Sequence, residues 1–161
     1  MTDHEDDVRK VAGLLQGKRF GMMTTTAEDG TLMSRPMALQ EVEFDGDLWF
    51  FAARDSRLVE QVQANPQVNV AVESSSTWVS LTGAVSVIVD EARKRDLWNA
   101  GVEAWFPEGP DDPGIVLLRL EAESAEYWDT PGGRIASLFS FAKAKATGTR
   151  YSGGDHGTVE M

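Results

Sequence analysis

The chain has 161 residues, of which 42% are apolar, enough for one domain around one packed core and too many for wholesale disorder. A net charge of −11, with no basic run longer than Arg93-Lys94-Arg95, excludes a nucleic-acid partner and argues against an anionic membrane. There is no cysteine, and the only histidines, His4 and His156, lie near the chain ends, so disulfides, thiolate nucleophiles and a histidine-based metal site are excluded.

The acidic opening lacks the apolar stretch of a signal peptide, and no apolar run spans a bilayer, so the chain is expected in the cytoplasm. Val8, Val11, Ala12, Leu14 and Leu15 fall on one stripe at helical spacing and predict a first helix over residues 3–16, stopped by Gly17. Strands follow at 20–25 and 31–39, joined by a turn at Gly30, and Val42-Glu43-Phe44 reads as a further strand before a turn at Asp45-Gly46-Asp47. The apolar run 48–52 predicts a strand covered on both faces. Ser56 caps a short helix to residue 64, and Asn65-Pro66 ends it. Strands are predicted at 68–72 and 78–89, the second with a bulge or bend at Gly83. A helix capped by Asp90 runs to Trp98, a last long strand covers 115–128, and a terminal helix covers 135–146. Trp105-Phe106-Pro107 falls in a loop, and the Gly-rich tail from Thr147 reads as mobile.

Six or seven strands joined mostly by hairpins indicate an antiparallel barrel with helices packed outside it. No βαβ series with a Gly-rich turn is present, which argues against a dinucleotide-binding fold of that kind. No nucleophile, base and orienting group occur together, so nothing points to a hydrolase and no catalytic residue stands out. The residues alone also allow plain readings: Arg35 as a surface arginine of a hairpin, Ser56 as a helix cap, and Arg57 as a solvated first-turn residue.

Ser34-Arg35-Pro36-Met37, followed by Leu48-Trp49-Phe50-Phe51-Ala52-Ala53-Arg54-Asp55-Ser56-Arg57, resembles the pyridoxamine 5'-phosphate oxidase-like FMN-binding split barrels. Within that family the chain most resembles the bacterial general stress proteins, with further support at Ser80-Leu81-Thr82-Gly83 and Trp105-Phe106-Pro107-Glu108-Gly109. The resemblance implies a mainly β (α+β) chain: a six-stranded antiparallel split β-barrel with flanking helices. It implies one flavin-binding domain over 1–161, with its core at about 18–129 and a helix and tail at 132–161. It also implies a homodimer with FMN in a groove between subunits.

Carried over, Arg35, Pro36 and Met37 run along the flavin, Phe51 and Ala52 continue the ring wall, Ser56 and Arg57 hold the phosphate, and Trp78 approaches from the partner chain. A phosphate suits a helix N-terminus with an arginine beside it, which Ser56-Arg57 would supply. Two positions depart from the family pattern: Leu58 and Gln40 stand where many members carry Lys. The Arg and His constellation that holds the vitamin substrate of true oxidases is also missing from the tail 149–156. The implied function is therefore a flavin-binding general-stress-type protein acting as a flavin-dependent oxidoreductase, not a pyridoxamine phosphate oxidase. FAD, a deazaflavin or no flavin are the alternatives to FMN. The alternative function is a non-catalytic dimeric protein whose cleft holds another anion.

Overall fold

A computed structural model of the protein describes residues 3–130 and 155–161. Helix α1 (Asp3–Leu15) buries Val11 and Leu15. Strands β1 (Phe20–Thr26) and β2 (Leu32–Ala38) then pair antiparallel across a turn in which Gly30 takes a φ of +85°, a conformation costly for any side chain. No strand forms at Val42-Glu43-Phe44, contrary to expectation. Phe44 drops into the core instead, and the Asp45 carboxylate accepts from the Asp47 N–H to turn the chain.

β3 (Asp47–Ala53) thereby leaves the neighbouring hairpin and pairs with β6 (Ile115–Asp129). Helix α2 (Arg57–Ala64) and strands β4 (Gln67–Glu73) and β5 (Thr77–Ile88) complete the barrel. The strand order is β2-β1-β4-β5-β6-β3, and the two terminal strands, β2 and β3, do not pair. The architecture is therefore the split antiparallel barrel with flanking helices that the sequence implies.

Gly83 lies at a register shift between β5 and β6, where a Cβ would stand 2.1 Å from the Glu121 carbonyl oxygen. The bulge inferred from the sequence is thus required by backbone-to-backbone approach.

β3 is covered on both faces, as its apolar run requires. Phe50 enters the barrel core with Met23, Val70, Leu81 and Leu118, whereas Phe51 joins a second cluster with Leu97, Val102, Ile115 and Leu117. Two short helices supply that second cluster: α3 (Glu91–Leu97), capped by Asp90, and α4 (Ala100–Trp105), capped by Asn99. The first matches the helix expected from Asp90 to Trp98, whereas the second replaces the loop expected around Trp105. Lys94 of α3 is almost fully buried; its ammonium pairs with Glu91 and donates to the carbonyls of Asp112 and Ile115. This ties the loop before β6 to α3, since a buried ammonium must find such partners.

A second correction concerns the tail. Strand β7 (Asp155–Glu160) lines up along β6 from Ser124 to Asp129, the half that β3 leaves open, and buries Val159. The sheet thus has seven strands among the described residues. Close approach suits Gly157 there, because a Cβ would stand 2.5 Å from the Tyr127 hydroxyl. The helix expected at 135–146 lies outside the described residues. No helix among them is long and apolar enough to cross a membrane.

Candidate functional site

β2 is an edge strand, so successive side chains alternate between the barrel interior and its outer face. Arg35 stands opposite the fully buried Met23 and points inward, whereas Ser34 stands opposite Thr24 and bonds to it on the outer face. The Arg35 guanidinium donates from Nη1 to Thr25 Oγ1 at 2.8 Å and from Nη2 to Gln61 Oε1 at 2.9 Å. Thr25 donates onward to the same Gln61 oxygen at 2.7 Å. Both acceptors are neutral. Among the described residues, neither Arg35 nor Arg57 has a carboxylate within ion-pair distance.

Burial, and then the nearby Arg57 charge, lower the pKa of Arg35. A guanidinium stays protonated regardless. The Arg35 and Arg57 charges therefore act on one another, and the carboxylate influence on Arg57 is that of Asp29, from beyond ion-pair distance; an anion placed between the two arginines relieves their repulsion. Arg57 is exposed in the first turn of α2, and the Ser56 hydroxyl caps that helix by accepting from the Val59 N–H at 3.3 Å. Leu58, next in sequence, is buried in the barrel core. The position that departs from the family pattern therefore contributes packing instead of charge.

The other end of β2 borders a cleft of about 270 Å³. Its barrel side is formed by Phe20, Pro36, Met37, Ala38 and Phe51, and its opposite side by Val102, Trp105 and Phe106. Among the described residues, its walls carry the Gln40 amide and the Trp105 indole N–H as polar groups and no charged side chain. The Gln40 amide is engaged, donating to the Ala38 carbonyl and accepting from Asn99 Nδ2 at 2.9 Å. Phe20 and Pro36 also border a second trough of about 460 Å³ on the outer face, where Lys18 and Arg19 stand. Arg35 and Met37 share the inner face of β2 two residues apart, about 7 Å along an extended strand, while Pro36 and Ala38 meet the cleft from the outer face.

The structure thus brings Arg35 close to Arg57 at the capped start of α2, and Pro36, Met37 and Phe51 together at the cleft. The Ala52 side chain packs in the barrel core and does not line the cleft. Trp78 stands opposite Trp128 on the outer face, apart from both ends of the site within one chain. The α4 wall was not foreseen from the sequence. Its available signal was Asn99, a residue suited to capping a helix. Among the described residues no group of three or more His, Cys, Asp or Glu could hold a metal.

The family model described as pyridoxamine 5'-phosphate oxidase like matches residues 6–152. The chain belongs to this family. Protein bli-3 of Neurospora crassa is 26% identical over 156 residues, covering 89% of this chain and 75% of that protein. Among solved structures, one from Jannaschia sp. CCS1, described as a general stress protein 26, superposes with a TM-score of 0.75 at 27% identity and covers both chains fully. The general stress FMN/FAD binding protein of Xanthomonas citri is 31% identical, with a TM-score of 0.66, over 78% of this chain and 89% of that one. These likenesses place the chain with the general stress members of the family.

Proposed function

We propose that this chain binds FMN, with the phosphate at Ser56-Arg57 and Arg35 and the ring in the apolar cleft beside Pro36, Met37 and Phe51. The observation that carries this reading is that one strand, β2, brings together Arg35, which has no carboxylate partner within ion-pair distance among the described residues, and a cleft lined among those residues by apolar side chains and Gln40. FMN has the matching division: a dianionic phosphate and a flat ring joined by a polyol chain. Family membership and the Xanthomonas citri relative described as FMN/FAD binding support it. The bound flavin would supply electron or hydride transfer, and the protein would supply position and electrostatics, as a flavin-dependent oxidoreductase of the general-stress type.

Titration of the purified protein with FMN and with riboflavin tests this. FMN is expected to bind more tightly than riboflavin, which lacks the phosphate. Arg57→Ala is expected to abolish most of that difference, a loss of about tenfold or more, the range for hydrogen bonds to charged groups. A protein that takes up neither ligand overturns the proposal.

One observation favours a second reading, a non-catalytic binding protein. Leu58 is packed in the core and the Gln40 amide is engaged by Asn99, so neither brings a cation to the site. Steady flavin-dependent oxidation of NAD(P)H, lost in Arg57→Ala, would exclude it.

We further propose that the chain is a homodimer through its outer face. Phe20, Met22, Trp78 and Trp128 project from one side of the sheet, each at least 40% exposed, beside the small side chains of Ala71 and Ser80. Glu73 stands beside Trp78 and His156 stacks on Trp128, yet four large apolar side chains on one face still call for a cover, and a second copy supplies the simplest symmetric one. Sedimentation at micromolar concentration is expected to give twice the chain mass, and Trp78→Glu is expected to give monomer. A wild-type monomer overturns the proposal.

A further inference from the structure

The cleft has a wall that the anion cradle does not explain. Trp105 lines it, yet 69% of that residue is exposed, so one of the largest apolar side chains in the protein is held at the cleft largely open to solvent. The helix that carries it is short, only six residues, and is fixed at its start by one residue. Asn99 Oδ1 accepts from the Gly101 and Val102 N–H groups, which starts α4, while its Nδ2 donates to Gln40 Oε1 at the end of β2. Gln40 in turn donates to the Ala38 carbonyl. The segment just after β2 and the start of α4 are thus joined by an amide-to-amide hydrogen bond across the cleft. Val102 anchors the helix below by packing in the cluster around Phe51.

The geometry points to Trp105 as the residue that recognises the ring bound in this cleft, with Asn99 as the residue that positions it. The ligand class follows from the lining: the described residues on both walls are apolar or aromatic apart from Gln40, which suits a planar aromatic system. This inference rests on the reading of the site as a flavin site and deepens it, because it assigns the ring to α4 independently of the phosphate at Ser56-Arg57. An exposed indole stacked on such a ring covers apolar area of both partners, and at this rim position it does so at little expense to folding.

The test uses riboflavin and FMN side by side on the full chain, followed by quenching of flavin fluorescence, with thermal unfolding as the control. Trp105→Ala is expected to weaken both ligands by the same factor, roughly threefold to tenfold, the range for one aromatic pair. Trp105→Phe is expected to recover most of the loss. Asn99→Ser keeps a capping oxygen for α4 but cannot reach Gln40, and it is expected to weaken both ligands equally without lowering the unfolding temperature. Arg57→Ala, in contrast, should weaken FMN and leave riboflavin untouched. Unchanged riboflavin affinity in Trp105→Ala overturns the inference while the phosphate result still upholds the flavin reading. A wild-type protein that binds neither ligand overturns both.

Discussion

Arg35→Met is expected to lower FMN affinity by about tenfold to a hundredfold, the equivalent of one charged hydrogen-bonding partner, while changing folding stability by only about 1 kcal/mol. Arg35 is fixed by Thr25 and Gln61, both neutral, and its charge is opposed by burial and by Arg57. In the free protein, losing the two hydrogen bonds is therefore largely offset by releasing a desolvated charge and its repulsion with Arg57. With an anion present that offset disappears, because the same charge then has a partner. Arg35→Lys should recover little, since an ammonium cannot hold Thr25 and Gln61 in the forked arrangement and still face the ligand. Equilibrium urea unfolding and FMN titration on the same samples measure the two effects. A stability loss that matches the binding loss would make Arg35 a structural residue and not a ligand contact. Added FMN at a fixed concentration should also raise the unfolding temperature of the wild type more than that of Arg35→Met, because stabilisation grows with ligand concentration relative to Kd.

The second large effect concerns folding. Gly83→Ala is expected to cost about 3 kcal/mol, the upper end of the range for forcing extra atoms into a packed interior. The added methyl would meet the Glu121 carbonyl oxygen at 2.1 Å, and both β5 and β6 are central strands held by neighbours on either side. Neither can retreat without breaking its ladder. Gly21→Ala provides the contrast. There the nearest atom is Cγ1 of Val70 at 2.9 Å, a side-chain methyl that can yield, so the cost should be clearly smaller. Denaturant midpoints for the two variants check the difference, and equal losses would refute the backbone explanation for Gly83.

The elements legible in the sequence were those whose signals are local. The periodic stripe of α1, the alternation and turn glycine of β1 and β2, the Ser56 cap and the apolar run of β3 each depend on a few adjacent residues, and each formed as expected. Gly83 was also readable, because glycine inside a strand has few other uses. The cationic half of the site was legible for the same reason: Arg35 and Ser56-Arg57 sit in short contiguous motifs.

Tertiary structure decided the rest, where the deciding partner lies far along the chain. β3 pairs with β6, nearly seventy residues away in register, and not with a strand at 42–44, because that pairing buries Phe50 and Phe51 in two different clusters. β7 forms because β6 is longer than β3 and leaves half an edge open, which nothing within 155–160 announces. α4 has six residues, too few to be stable alone, and persists because Val102 packs near Phe51 and Asn99 reaches Gln40. Local sequence patterns were enough for the family and the split barrel, and for proposing Arg35 and Arg57 as the anion site. The apolar cleft, its Trp105 wall and the engagement of Arg35 by the neutral Thr25 and Gln61 came only from long-range packing, which no local pattern encodes.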